Sequence, residues 1–152
     1  MAGVGQAAVL SGAEVYPKAH VLNRLIAKFI DLILVAAADR LVPPVGWLAG
    51  LAYVLIADGF SGGRSIGKRL IGLQTVVPRS RDVAGFRESI IRNLPLALAY
   101  LLFSLPFIGW ILAGAVALFE ILLIIGNDRG VRLGDEIAHT QVLDAGHLEL
   151  HD

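Results

Sequence analysis

Cysteine is absent from the 152 residues. Disulfides, thiolate catalysis and cysteine-based metal sites are thereby excluded, and the redox compartment stays open. Charge is scarce. Charged residues make up 17% of the chain against 56% apolar, and the mean hydropathy is +0.71. A soluble domain of this size needs more polar surface than that, so the excess apolar surface is expected to face lipid. The charges present sum to zero, which removes the basic footprint of a nucleic-acid binder. A secretory signal is not legible either. Met1 to Glu14 has no positive n-region, and Gly3, Gly5, Gln6, Ser11 and Gly12 break its apolar run. Enzyme motifs are missing: the Gly-Ser spacing around Ser61 to Ser65 lacks the phosphate-loop pattern, and His20, His139, His147 and His151 show no compact ligand spacing. The expectation is a chain without enzymatic activity, metal or cofactor.

What is present is a series of four apolar runs. The first extends from about Leu22 to Ala38 and ends at Asp39-Arg40 and the double proline Pro43-Pro44. The second extends from about Val45 to Ala57 and stops at Asp58-Gly59. The third extends from Ser89 to Leu105, with Pro95 inside it. The fourth extends from Phe107 to Ile125 and stops at Gly126-Asn127-Asp128. A bilayer span needs about 20 apolar residues, so several runs are short, the second most of all. The fold expected is all-α: a polytopic membrane helical bundle of four transmembrane helices arranged as two hairpins. Residues 1–20 form a flexible cytoplasmic tail, 21–144 the membrane domain and 145–152 a C-terminal tail.

Basic residues set the orientation. Arg64, Lys68, Arg69, Arg79, Arg81, Arg87 and Arg92 lie between the second and third runs, Lys18, Arg24 and Lys28 at the start of the first, and Arg129 and Arg132 after the fourth. The turn after the first run offers only Arg40, and the turn after the third, Ser104 to Ile108, has no charge. Both termini and the middle loop are therefore expected in the cytoplasm, with the protein in a cell (inner) membrane.

The segments after the second and fourth runs resemble one another. Superposing Gly67 on Gly134 sets Leu70 opposite Ile137, Gln74 opposite Gln141 and Lys68 opposite Asp135, and nearly the same offset carries Arg24 onto Arg92. Two parallel copies of one unit explain this, as does chance likeness between amphipathic segments. A pseudo-twofold axis would bring Lys68 and Asp135 together. Each segment is expected to lie in the membrane interface as an amphipathic helix, with Ile66, Leu70, Ile71 and Leu73 on one apolar face, Lys68 and Arg69 outside it, and anionic lipid headgroups nearby.

Gly63-Arg64-Ser65-Ile66-Gly67-Lys68-Arg69-Leu70-Ile71-Gly72-Leu73 resembles the Gly-Gly-x-Thr-x-Gly-Lys-x-x-x-Gly-Leu segment of RDD-family membrane proteins, and Arg132-Leu133-Gly134-Asp135-Glu136-Ile137-Ala138-His139-Thr140 resembles their closing Arg-Leu-x-Asp-x-x-Ala-x-Thr segment. The resemblance extends from about Val21 to Asp144, and the family's Arg, Asp and Asp fall on Arg24, Asp31 and Asp135. Ser65 stands where threonine is usual, Gly134 where histidine is common and His139 where glycine is common. The resemblance implies a polytopic membrane protein, with sodium/proton exchange or transport proposed for some relatives.

Ionisable residues inside apolar runs are candidates for function. Arg24, Lys28 and Asp31 share one helical face, and Glu120 lies in the fourth run at a depth comparable to that of Asp31. The functional reading is a proton or cation site formed by Asp31 and Glu120 and gated by Lys28, since two carboxylates at one site hold a proton between them that a cation can replace. The structural reading is a network of Arg24, Lys28, Asp31 and Glu120, with Lys68 and Asp135, that fixes helix register. Gly46 and Gly50, and Gly109, Ala113 and Ala117, form small-residue faces for close helix packing within one chain or between copies. Trp47, Phe107 and Trp110 suit the outer interfacial belt. The function expected is transport-related, with proton or monovalent cation exchange. The alternatives are an accessory or assembly subunit for another membrane protein and, third, an enzyme acting on lipids. The partners expected are the lipid bilayer and a second copy or another membrane protein.

Overall fold

A computed structural model describes residues 19–60, 62–80 and 82–145. The N-terminal tail up to residue 18, His147, His151 and the rest of the C-terminal tail lie outside the described residues. Six α-helices and three short strands follow in the order α1 (Val21–Leu41), α2 (Val45–Ile56), α3 (Ile66–Ile71), β1 (Leu73–Val77), β2 (Asp82–Val83), α4 (Phe86–Phe103), α5 (Ile108–Gly126), α6 (Leu133–Ile137) and β3 (Gln141–Asp144). A single 3-10 turn, Ala57–Gly59, prolongs α2. The four apolar runs are the four long helices, each within a turn of its expected bounds.

The long helices pack as two hairpins, α1 with α2 and α4 with α5, joined where α2 meets α4. Small residues allow the close approach. A Cβ on Gly46 would strike the Ala38 carbonyl oxygen, one on Gly50 would strike Val35 and the Tyr100 hydroxyl, and one on Gly109 would strike the Leu102 carbonyl oxygen. The small-residue faces are thus used within this chain. At the hairpin turns, the Trp47 indole donates to Ser104 Oγ at 3.0 Å and the Trp110 indole to the Phe103 carbonyl at 3.1 Å. Pro95 sits inside α4 without ending it.

The expectation of an all-helical chain is corrected by a three-stranded sheet, β2-β1-β3. Each segment expected to be one amphipathic helix is instead a short helix followed by a strand. Gly72, at φ 78°, ends α3, so Leu73 leaves the helix and becomes fully buried in β1. Ile66 and Leu70 remain exposed, Arg69 too, but Lys68 points inward. Leu73 and Val142 pack with Ala19, Ala27 and Ile71 in one small apolar cluster, while Val35, Val54 and Ala97 form another between α1, α2 and α4.

The register of β1 on β3 has a local twofold axis. Strands β1 and β3 pair antiparallel with Gln74 opposite Leu143, Thr75 opposite Val142 and Val76 opposite Gln141. The superposition of Gly67 on Gly134 maps the first of these pairs onto the third and sets Thr75 and Val142 astride the axis. Further contacts repeat. A Cβ on Gly67 would strike the Ala27 carbonyl oxygen, and one on Gly134 would strike that of Arg92. Gly72 and His139 both have positive φ. Ala19 N donates to the Val142 carbonyl at 3.1 Å and Ala84 N to the Thr75 carbonyl at 3.0 Å. In this frame the counterpart of Arg92 is Ala27, not Arg24 as sequence offset gives, because the linkers between repeated elements differ in length. The relation is incomplete: α2 packs on α4, while α5 and α1 share no comparable contact.

Polarity is inverted relative to a water-soluble fold. Leu25, Phe29, Leu32 and Ile33 of α1, Leu94, Leu98 and Leu101 of α4, and Ile111, Leu118 and Leu122 of α5 are exposed, whereas Arg24, Asp31, Asp58, Arg92, Glu120, Arg132 and Asp135 are buried. Among the described residues one helix, Ile108–Gly126, is long and apolar enough to cross a membrane on its own composition, with a shorter apolar helix at Val45–Gly59. Helices α1 and α4 carry more charged residues, among them the buried Arg24, Asp31 and Arg92, and are not in that class.

Candidate functional site: a buried charge lattice

The ends of α1, α2, α4 and α5 nearest the sheet, with α3 and α6, enclose a continuous set of ionised and polar side chains. Its first node is Asp31 on α1. One carboxylate oxygen accepts from the Tyr53 hydroxyl at 2.7 Å and from Gly67 N at 2.8 Å, and the other from Ser65 Oγ at 2.7 Å. Asp31 thus binds the first turn of α3, where free backbone N–H groups need acceptors. The absence of a side chain at Gly67 lets α3 approach closely enough for this.

Asp58, in the 3-10 turn, is the second node. Lys68 Nζ lies 2.7 Å from it, Ser65 N donates at 3.2 Å, Asn93 Nδ2 at 3.4 Å, and Arg92 Nη1 stands at 3.7 Å. Burial opposes ionisation of this carboxyl, but Lys68 and then Arg92 outweigh it and hold it well below the usual carboxylate range.

Asp135, fully buried in α6, is the third. Arg24 Nη2 and Arg92 Nη2 each reach it at 2.6 Å, and Arg132 Nε at 3.4 Å. Burial again opposes ionisation, and Arg92, Arg132 and Arg24 together keep the carboxyl well below its usual range. Arg24 also donates to the Gly130 carbonyl. One aspartate therefore ties α1, α4 and the chain before α6 to a single point.

Thr75 connects the nodes at the twofold axis. Its hydroxyl lies 3.0 Å from Lys68 Nζ and 2.6 Å from Arg92 Nη1. Arg92, 1% exposed, reaches Asp58, Thr75 and Asp135 at once. Arg132 extends the set by donating to Asn93 Oδ1 at 2.7 Å and facing Glu120 at 3.7 Å. Charges this deep are tolerable only when paired and hydrogen-bonded, which these are.

Glu120 departs from the pattern. It is 3% exposed, no described side chain donates a hydrogen bond to either carboxylate oxygen, and the backbone N–H of Gly134 faces it. Among the described residues the cation nearest to it in an ion pair is Arg132, at 3.7 Å and beyond hydrogen-bonding distance.

The structure therefore joins Arg24 to Asp135 and places Lys68 on Asp58. Lys68 and Asp135 are connected through Thr75 and Arg92 rather than directly. Asp31 and Glu120 are not brought together: Asp31 accepts from Tyr53, Ser65 and Gly67, and Glu120 faces Arg132. Lys28 lies half-buried on α1. Asp58, Arg92, Arg132, Asn93, Thr75, Tyr53 and Ser65 complete the set, and sequence reasoning assigned none of them to it. Among the described residues no three metal-ligating side chains cluster. Compared with known proteins, the chain matches no family model, no curated protein and no solved structure.

Proposed function

We propose that this is a non-enzymatic integral membrane protein of the RDD type, with α1, α2, α4 and α5 crossing the bilayer as two hairpins. The observation that carries this reading is the inverted polarity, an apolar exterior around a charged interior, which water does not support and lipid does. Helix α1 covers about 31 Å and α5 about 28 Å at 1.5 Å per residue. Helix α2, 12 residues long, is accommodated by local thinning of the bilayer. Exposed Arg69, Arg79, Arg87 and Arg129 lie at the sheet end, against Arg40 at the other. That asymmetry supports a cytoplasmic sheet, cytoplasmic termini and an inner-membrane location, with the same arginines beside anionic headgroups.

The activity proposed is transport-related: exchange of protons or monovalent cations, with Glu120 as the group that handles the ion. Its support is that, among the described buried acids, Glu120 alone has no side-chain hydrogen bond to either oxygen. The test is ion flux in proteoliposomes of the full chain under imposed pH and sodium gradients. Flux abolished by Glu120→Gln, with unchanged helicity, supports the reading. Absence of flux under every gradient refutes it.

A second reading, an accessory subunit of another membrane protein, is favoured by a different observation. Asp31 and Asp135 have their acceptors occupied by donors from several elements, as fasteners would. A stoichiometric membrane partner that copurifies from gently solubilised membranes, with no flux from the purified chain, identifies this case.

A further inference from the structure

We infer that the outer cleft between α4 and α5 is a binding site, entered from the bilayer, for an amphiphile with an apolar body and a single ammonium head that docks on Glu120. The inference rests on the membrane reading above and names the ligand class of the Glu120 site.

Three observations carry it. The cleft has a volume of about 620 Å³, within the range of about 300–1,000 Å³ usual for small-molecule sites. Leu94 and Leu98 of α4 and Val116 and Phe119 of α5 line it, and Leu133 of α6 lines it at the lattice end. Leu94, Leu98 and Phe119 are exposed, so the mouth opens on the apolar exterior rather than on the sheet. The one ionisable side chain in the lining is Glu120, buried, with the Gly134 N–H facing it and no side-chain hydrogen-bond donor on either oxygen.

The chemistry of those atoms selects the head group. A carboxylate is an acceptor, so the ligand supplies donors. Arg132, the neighbouring cation, is already engaged by Asp135 and Asn93 and stands 3.7 Å from Glu120. An anionic head would meet the Glu120 charge with no free cation beside it. An ammonium supplies three donors and the opposite charge, and forms charge-assisted hydrogen bonds with the buried carboxylate oxygens, to which no side chain donates. The remaining walls are hydrocarbon and match an alkyl or aromatic body. Two sources share this chemistry: a free long-chain amine, as cargo, and the ethanolamine head of a membrane lipid.

The test uses the full chain in phosphatidylcholine nanodiscs and a long-chain primary amine with a diazirine in its tail. Photo-crosslinks are mapped by peptide mass spectrometry, with unlabelled dodecylamine, dodecanol and dodecyl sulfate as competitors. Crosslinks are expected on the peptides holding Leu94, Leu98 and Phe119, with displacement by dodecylamine and not by the alcohol or the sulfate. Glu120→Gln is expected to lower crosslinking about tenfold, as when a charge-assisted hydrogen bond becomes a neutral one. Leu98→Trp, which fills the cleft and leaves the carboxylate in place, is expected to do the same and keeps the test decisive if the glutamine variant misfolds. Adding phosphatidylethanolamine to the nanodiscs separates the sources: displacement by this lipid assigns the site to it, and persistence of crosslinking assigns it to a free amine. Crosslinks scattered over all exposed helix faces, or equal displacement by all three competitors, overturn the inference. Specific crosslinking without ion flux refutes the exchange reading alone, and flux without specific crosslinking refutes this site alone.

Discussion

Asp135→Asn is expected to be among the most destabilising single-atom-scale changes in the molecule. Asparagine keeps the volume and one acceptor of the native side chain but removes the charge. The native carboxylate is fully buried and faces guanidinium nitrogens of Arg24 and Arg92 at 2.6 Å and of Arg132 at 3.4 Å. Removing one member of a buried ion pair costs about 3–5 kcal/mol, because the other is left uncompensated. Arg92 retains Asp58 and Arg132 retains Glu120, so most of the loss falls on Arg24, whose other recorded partner is the neutral Gly130 carbonyl. The expected loss is therefore near the lower end, about 3 kcal/mol. Adding Arg24→Gln removes the orphaned cation, and the double variant should be more stable than the sum of the single losses by at least about 1 kcal/mol, the signature of directly coupled residues. Unfolding by sodium dodecyl sulfate in mixed micelles, followed by far-ultraviolet circular dichroism, measures both. The matched control is Glu136→Gln, which removes a pair with Arg129 that is more than half exposed at 3.5 Å, worth at most about 1 kcal/mol. A loss at Asp135 no larger than at Glu136, or strict additivity with Arg24→Gln, would refute the lattice as a stabilising unit.

Gly67→Ala and Gly134→Ala should each cost several kcal/mol in the same assay (about 3, as for overpacking at a close backbone approach), since the new methyl group meets the Ala27 or Arg92 carbonyl oxygen. Gly72→Ala isolates backbone strain, because a Cβ there meets no atom within 4 Å while φ is 78°; a loss of about 1 kcal/mol is expected. His139→Gly should raise stability by a similar amount, at most about 1 kcal/mol, by relieving the same conformation at φ 51°; no gain would show that the histidine side chain compensates. Acid should loosen the bundle. Asp58 and Asp135 are both held below their ordinary value of 3.8 in the fold, so the unfolded chain takes up protons first as pH falls. The stability they contribute is complete above about pH 5 and drains as pH drops below 3.8 toward the folded values. Unfolding midpoints between pH 7 and pH 3 test this, and a flat profile would refute it.

The helices were legible because long apolar runs between proline, glycine and charged stops leave few other choices, as Pro43-Pro44 and Gly126-Asn127-Asp128 illustrate. The sheet was not. Leu73-Gln74-Thr75-Val76-Val77 alternates too briefly to be told from a continuing helix, and its partner lies more than sixty residues away at Gln141–Asp144. Gly72 was the one local signal of the change, through its left-handed conformation. The site was half legible. Arg24, Asp31, Glu120, Lys68 and Asp135 stood out as charges in an apolar chain, but their partners depend on side-chain direction. Asp58 reads as a loop residue and Arg92 as a positive-inside marker, yet both point into the lattice. Matching Arg92 to Arg24 misjudged the counterpart because equal offsets do not survive unequal linkers.

The ladder centred on Thr75 and Val142 has a consequence for symmetry. A strand that pairs antiparallel with its own structural counterpart is what two identical short chains form across a dimer axis. The β1/β3 ladder of the present molecule has the geometry of such a dimer axis within one chain. Halves joined in one chain are free to differ: Lys68 and Asp135 occupy equivalent places with opposite charge, and Asp31 corresponds to Leu96. A symmetric dimer cannot place an acid on one side of its axis and a base on the other. A single chain can, and this interior is electrically asymmetric.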